Sequence, residues 1–356
     1  MKRIVLTGGG TAGHVTPNLA LIPRLQQDGW EVHYIGAANS AEENLVAGLP
    51  GVTFHTVSVG KLRRYFDLKN FTDPFRVIKG VFQAARIIGK LKPQVVFSKG
   101  GFVSVPVVYG AKLHGVPIVI HESDMTPGLA NRLSAPLAKC ECCTFPEAVK
   151  YAKGKGVYTG TPIRPEILAG TREQGLKTFG LNEEMPVLMV TGGSTGAQAI
   201  NEAVRAALPE LTRNLQVLHL CGKGNANASM EGTEHYVQCE YLNKEMADAY
   251  ACADIMLSRA GANALCEIQA LKKPSLLIPY PKGASRGDQI LNAESFRKRG
   301  FARVLDQAEL TPERLVKEIY DLYRERGTMY DAMNADSMET DGVDKVLAQI
   351  YKYAKK

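Results

Sequence analysis

A short apolar strand that runs into a glycine-rich loop and then a helix occurs twice in this sequence, half a chain apart. That duplication constrains the fold more than any other feature. In the first copy, Ile4-Val5-Leu6 leads into Gly8-Gly9-Gly10-Thr11-Ala12-Gly13, and a helix follows over Leu19 to Gln27 with Pro17 near its first turn. The strand Glu31-Val32-His33-Tyr34-Ile35 completes the unit. In the second copy, Val187 to Val190 leads into Thr191-Gly192-Gly193-Ser194-Thr195-Gly196-Ala197-Gln198, a helix through Leu208 and a strand over Gln216 to Leu220. Two such units imply an α/β protein of two Rossmann-like domains, their parallel sheets facing across a cleft. The 356 residues are ample for both. Two prolines in Gly160-Thr161-Pro162-Ile163-Arg164-Pro165 interrupt any regular element, so the expected division is 1–163 and 164–340. The last stretch, 341–356, carries Val343, Val346, Leu347 and Ile350 at helical spacing and is expected to pack back on the first domain.

Apolar residues make up 45% and charged residues 22%, the balance of an ordinary folded, soluble protein. The start reaches glycine after three apolar residues, too few for a signal-peptide core. The most apolar stretch, Val103 to Ile120, holds Lys112, His114 and two prolines; it reads as two strands and a connecting helix, and makes a poor membrane span. Both features point to a protein made and kept in the cytoplasm. Cys140, Cys142 and Cys143 crowd together among seven cysteines, but no CxxC pair or histidine stands at zinc spacing, so reduced thiols and no metal are expected. A net charge of +7 favours anionic partners without choosing among phosphates, nucleic acid and acidic lipid. Nucleic acid has no aromatic platform or basic recognition motif to support it.

A glycine loop that opens a helix presents backbone N–H groups and the positive end of the helix dipole to an anion. Gly8, Gly10 and Gly13 match the dinucleotide fingerprint GxGxxG, a weak signal alone. A nicotinamide enzyme would also need an acidic residue at the end of the second strand. That position reads Tyr34-Ile35-Gly36-Ala37-Ala38, and Glu42 and Glu43 come too late, which demotes redox chemistry. His14, just after the loop, is placed to take a proton from an attacking sugar hydroxyl, its pKa lowered by the helix terminus, or merely to cap or pack; the position leaves the two readings even. His121-Glu122-Ser123-Asp124 and Ser98-Lys99-Gly100-Gly101-Phe102 each follow an apolar strand, at the edge where open α/β sheets bind ligands. Lys99 with two glycines favours pyrophosphate contact over a solvated surface charge. In the second half, Ser258 to Glu267 follows the strand Asp254-Ile255-Met256-Leu257. Small residues there let a helix terminus approach a diphosphate, and Glu267, one turn in, could accept both ribose hydroxyls or be an ordinary surface glutamate. Asp288-Gln289-Ile290-Leu291-Asn292 opens the next helix, where its amides can bind sugar hydroxyls.

Taken together, Gly-Gly-Thr-Ala-Gly-His, Ser-Lys-Gly-Gly-Phe, His-Glu-Ser-Asp, Thr-Gly-Thr-Pro-Ile-Arg, Gly-Gly-Ser-Thr-Gly-Ala-Gln and Ser-Arg-Ala-Gly-Ala-Asn-Ala-Leu-Cys-Glu occur in one order along nearly the whole chain. This set resembles the MurG family, bacterial transferases that add N-acetylglucosamine from its UDP donor to the lipid-linked muramyl pentapeptide lipid I, making lipid II for peptidoglycan. The resemblance implies a GT-B fold, an acceptor- and membrane-binding first domain and a donor-binding second one. It implies inversion from an α-linked donor to a β-1,4 product, with no cofactor and no bound metal, which fits the absence of an Asp-x-Asp motif near either loop. Carried over by position, His14 is the favoured base and Glu122 the second candidate. Donor contacts are implied for Thr11, Ala12, Gly13, Asp124, Arg164, Ser194, Leu242, Ala262, Asn263, Ala264, Leu265, Cys266, Glu267 and Gln289. Gly10, Lys99, Gly100 and Gly101 are expected at the acceptor diphosphate. Asp124 and Asp288 stand where some members carry an asparagine and an amide.

A lipid-linked acceptor calls for a membrane face. Phe71 to Lys90 starts with the helix opener Thr72-Asp73-Pro74 and carries two apolar stripes: Val77, Val81, Ala84 and Ile88, then Phe71, Phe75, Ile78 and Phe82. One stripe suffices for a surface helix, and the second is edged by Arg76, Lys79, Arg86 and Lys90. Phe71, Phe75, Ile78, Lys79 and Phe82 are therefore expected on an anionic membrane surface, with Lys61-Leu62-Arg63-Arg64-Tyr65-Phe66 adding to the patch, as a peripheral protein of the cytoplasmic face. The rivals are another GT-B enzyme, such as a UDP-N-acetylglucosamine 2-epimerase or a glycolipid synthase, and a non-catalytic nucleotide-sugar sensor.

Overall fold

The computed structural model describes residues 2–60, 69–193, 195–283, 287–336 and 342–355, with backbone alone at Ala12 and 69–72. Two compact units emerge, 1–164 joined by 341–356, and 165–340.

In the first unit the strands are β1 (Lys2–Thr7), β2 (Trp30–Gly36), β3 (Val52–Thr56), β4 (Val95–Ser98), β5 (Ile118–Glu122), β6 (Cys140–Cys143) and β7 (Gly156–Tyr158). They form one parallel sheet in the order β3-β2-β1-β4-β5-β6-β7. Between them run α1 (Thr16–Gln27), α2 (Ala41–Val46), α3 (Lys69–Leu91), α4 (Ser104–Leu113) and α5 (Leu129–Ser134). β1 shows why the sheet needs helices on both faces. Ile4 and Leu6 join a core with Leu21, Leu25 and Trp30, while Val5, one residue out of phase, joins Ala84, Ile88 and Val107 on the other side.

The second unit repeats the plan. Its helices are α6 (Arg172–Phe179), α7 (Gln198–Leu211), α8 (Met246–Cys252), α9 (Ala262–Ala270), α10 (Asp288–Lys298) and α11 (Pro312–Ala335). Its strands are β8 (Val187–Thr191), β9 (Gln216–Leu220), β10 (Tyr236–Cys239), β11 (Ile255–Ser258), β12 (Ser275–Leu277) and β13 (Ala302–Val304), ordered β10-β9-β8-β11-β12-β13. In each sheet the strand order reverses beside the first strand, at β1/β4 and at β8/β11. Open α/β sheets bind ligands at that switch point, and the two glycine loops lie there. The last helix, α12 (Gly342–Tyr353), returns to the first unit and buries Val346, Leu347 and Ile350 in the core of β1. Tyr351 stacks on Trp30 at 5.7 Å and its hydroxyl donates to Asp28.

Two local expectations change. Val103 to Ile120 is one helix, α4, and one strand, β5; the expected first strand is absent because these residues are needed as a helix to cover β4 and β5, with Pro106 in its first turn. α1 starts at Thr16, so Pro17 lies inside the first turn, where its fixed φ suits the helix. Among the described residues no helix is long and apolar enough to cross a membrane.

Candidate active site

At the carboxyl edge of the first sheet, the loops after β1 and β4 rest on one another. The Lys99 amide donates to Thr7 O at 2.8 Å. Gly101 is in the left-handed region (φ +81°), and a Cβ there would sit 2.1 Å from Gly9 O, so only glycine fits. Buried side chains brace the first loop from behind. The Tyr34 hydroxyl donates to Gly8 O at 2.6 Å, and the Asn18 amide donates to Thr7 O and to the Tyr34 oxygen. Glu42, fully buried, accepts the Gly10 amide at 3.2 Å and the Ala37 amide at 3.1 Å.

His14 occupies a 3₁₀ turn just ahead of α1, and its Nδ1 lies 3.2 Å from the Lys99 carbonyl. A carbonyl can only accept, so in the neutral ring Nδ1 carries the proton and Nε2 keeps the lone pair. That is the tautomer a general base needs.

Three expectations are revised by geometry. The Gly10 N–H, expected at a diphosphate, is taken by Glu42. The Lys99 ammonium is turned inward: the side chain is fully buried, and Nζ donates to His121 Nδ1 at 3.0 Å and to Ser123 Oγ. Burial and the Lys99 charge hold His121 well below its ordinary pKa, so it stays neutral and donates from Nε2 to Gly160 O at 2.8 Å. Glu122, the second candidate base, is committed to its own loop. It accepts from the Asp124 amide (3.0 Å), the Gly128 amide (3.0 Å) and the Asn131 side chain (2.8 Å), which occupies both oxygens. It is a scaffold for residues 123–128.

In the second unit, α9 begins at Ala262, a short loop after β11, and its N-cap is Gly261, which has no side chain to cap the first turn. Glu267 accepts from the Tyr250 hydroxyl at 2.7 Å, which fixes its carboxylate. Arg259 ties the neighbouring loop together. Its buried guanidinium donates to Ile278 O, Pro279 O and Gln307 Oε1 and lies 4.2 Å from the Tyr280 ring centroid. Gln289 Oε1 accepts the Tyr280 amide, and the Asn292 amide donates to Ala260 O. Leu242 and Asp288 are buried. Ser194, the side chains of Ala12 and Phe71, and the segment 61–66 lie outside the described residues. Among the described residues no group of three or more His, Cys, Asp or Glu side chains could hold a metal ion.

Too late in the chain to hold a ribose, Glu42 nevertheless carries a sequence signal. Glu42 and Val46 stand one turn apart and are the two buried residues of α2, so a carboxylate occupies a core position. A charge on the inward stripe of a short helix marks a buried polar role.

The profile of the glycosyltransferase family 28 N-terminal domain matches residues 4–142, and that of its C-terminal domain matches residues 187–347. The chain belongs to glycosyltransferase family 28. Similar relatives carry the name UDP-N-acetylglucosamine--N-acetylmuramyl-(pentapeptide) pyrophosphoryl-undecaprenol N-acetylglucosamine transferase. The one from Lachnospira eligens is 52% identical over 348 residues (98% of each chain), and one from Clostridium botulinum is 50% identical over 356 residues (100% of each). The crystal structure of Acinetobacter baumannii MurG superposes with a TM-score of 0.77 at 26% identity, covering 99% of this chain and 100% of that one. The resemblance to the MurG family therefore holds across the chain, and the fold is GT-B. A Neisseria meningitidis UDP-GlcNAc 2-epimerase also superposes, with a TM-score of 0.70 over 99% of this chain and 100% of its own. At 11% identity it shares the fold alone, so family 28 membership rests on sequence and not on shape.

Proposed function

We propose that this chain transfers N-acetylglucosamine from UDP-N-acetylglucosamine to the muramic acid sugar of undecaprenyl-diphosphate-linked muramyl pentapeptide, lipid I, releasing UDP and forming lipid II. The observation that carries this reading is the 52% identity along 98% of the chain to a relative named for that transfer.

His14 Nε2 removes the proton of the acceptor hydroxyl as its oxygen attacks the anomeric carbon from the face opposite UDP. The bond from that carbon to the diphosphate breaks, its electron pair leaves with UDP, and the configuration inverts. The second unit holds the donor: the first turn of α9, Ala262 to Cys266, faces the diphosphate, Glu267 the ribose, Leu242 the uracil and Gln289 the sugar. Helix dipole and N–H groups stabilise the departing charge. Gly100 and Gly101 line the acceptor diphosphate, and the buried Lys99 charge supports it from beneath rather than by contact.

UDP release, followed with and without a short-chain lipid I analogue and with EDTA present, tests the reaction. Release that requires the analogue and survives chelation is expected. Release without an acceptor would point to a hydrolysing epimerase, and bound donor without release to a sensor.

A lipid-linked acceptor calls for peripheral attachment to a membrane, and the proposed location is its cytoplasmic face. α3 supports this: Ala84 and Ile88 are fully buried, whereas Phe75, Ile78 and Phe82 are 73%, 54% and 68% exposed. α3 runs from Lys69, two residues earlier than expected, and keeps Pro74 inside it. On α4, packed beside α3, Tyr109 and Leu113 are exposed as well. Replacing Phe75, Ile78 and Phe82 together by serine is expected to weaken binding to anionic liposomes on the order of 10-fold or more, with UDP affinity intact. Unchanged liposome binding would remove α3 from the membrane face.

A further inference from the structure

Glu42 is a carboxylate with no exposed surface, placed behind the first glycine loop. Its two oxygens are divided between two chain segments, Oε2 on the Gly10 amide and Oε1 on the Ala37 amide just past β2. The backbone has been kept bare to admit it. A Cβ on Gly9 would sit 2.5 Å from the carboxyl carbon, and a Cβ on Gly36 would sit 2.8 Å from Cγ.

The consequence runs through the peptide between Gly9 and Gly10. Because a trans peptide points its N–H and C=O in opposite directions, seating the Gly10 N–H on Glu42 aims the Gly9 carbonyl away from it. That carbonyl is the group that meets Gly101, and the same Gly101 lies against the His14 ring: a Cβ on it would be 2.1 Å from Gly9 O and 3.1 Å from His14 Cδ2. The chain of contacts runs from Glu42 to the Gly9–Gly10 peptide, to Gly101 and to the His14 imidazole.

We propose that Glu42 is a positioning residue for the acceptor side of the reaction, fixing the Gly9–Gly10 peptide so that the second glycine loop and His14 are seated for attack. Two acceptor oxygens are required. A neutral amide of the same length offers one acceptor and one donor, and the donor would face an N–H. The loop peptide would then rotate, and the two glycine loops would lose their fit. The proposal rests on the transfer reaction and on the acceptor binding the first unit.

Glu42→Gln keeps the volume and is the first test, in steady-state assays with UDP-N-acetylglucosamine and a soluble lipid I analogue. The expected result is a split: kcat down on the order of 10- to 100-fold and acceptor KM raised, with donor KM unchanged. Gly9→Ala, which drives a methyl into the carboxylate from the loop side, should reproduce the split in a protein whose Glu42 is intact. Glu42→Asp keeps both acceptor oxygens and should recover more of kcat than Glu42→Gln. A Glu42→Gln enzyme with kcat and acceptor KM within about twofold of wild type would overturn the proposal. So would a lowered melting temperature with unchanged kinetics, or donor and acceptor KM rising together, since either is ordinary structural damage. Wild type that releases no UDP with the analogue would sink the transfer reading itself; active wild type beside an equally active Glu42→Gln sinks this proposal alone.

Discussion

Replacing His14 by alanine is expected to lower kcat by about 10²- to 10⁴-fold, the range for loss of a positioned general base. UDP affinity should stay within about twofold, because the diphosphate, ribose and uracil are assigned to residues of the other unit. The bond from His14 Nδ1 to the Lys99 carbonyl is what separates this expectation from loss of a packing residue. It fixes the tautomer, so Nε2 is the basic atom, and it holds the ring against the second glycine loop. His14→Gln is the sharper variant, since a glutamine amide can still donate to Lys99 O but cannot take a proton near neutral pH. Both variants should be inactive if His14 is the base. Recovery of most of kcat in His14→Gln would reduce the histidine to a strut and move the base elsewhere. Glu122 is a poor substitute, with three N–H donors already on its two oxygens.

The sequence carries the frame of this site better than its interior. Glycine loops after Leu6 and Val190 mark the strands where each sheet reverses, because a tight turn and an open helix start both need small residues there. The double stripe of α3 is legible for a similar reason: a helix covers a sheet with one face, and Phe75, Ile78 and Phe82 have no place on it. What periodicity does not encode is the direction in which a charge points. Lys99 reads as an outward cation from its glycine neighbours. Its ammonium turns inward because His121 and Ser123, on the next strand and loop, supply acceptors that only the folded sheet brings near. Glu122 reads as a spare carboxylate at the end of β5, and becomes a scaffold through Asn131, nine residues on, in α5. Glu42 reads as arriving too late to hold a ribose, which leaves open that it could hold the loop instead.

Arg259→Ala should be strongly damaging to the second unit. The guanidinium satisfies the carbonyls of Ile278 and Pro279 and the Gln307 amide oxygen, and it stacks on Tyr280. Hydrogen bonds to a charged group contribute about 1.5–3 kcal/mol each, and removing one partner strands the others in a dry site. A loss of about 3 kcal/mol in the stability of this unit follows, allowing for partial relaxation. The loss should reach the donor site, because the same loop bears Tyr280, whose amide engages Gln289, while Asn292 holds Ala260 next to Arg259. UDP affinity measured by calorimetry should therefore fall together with the denaturant midpoint. Arg259→Lys should not restore either, since a compact ammonium cannot span three acceptors and stack on a ring at once. Full UDP affinity in Arg259→Lys would mean that charge alone matters there, and that the planar fork of the arginine does not shape the donor loop.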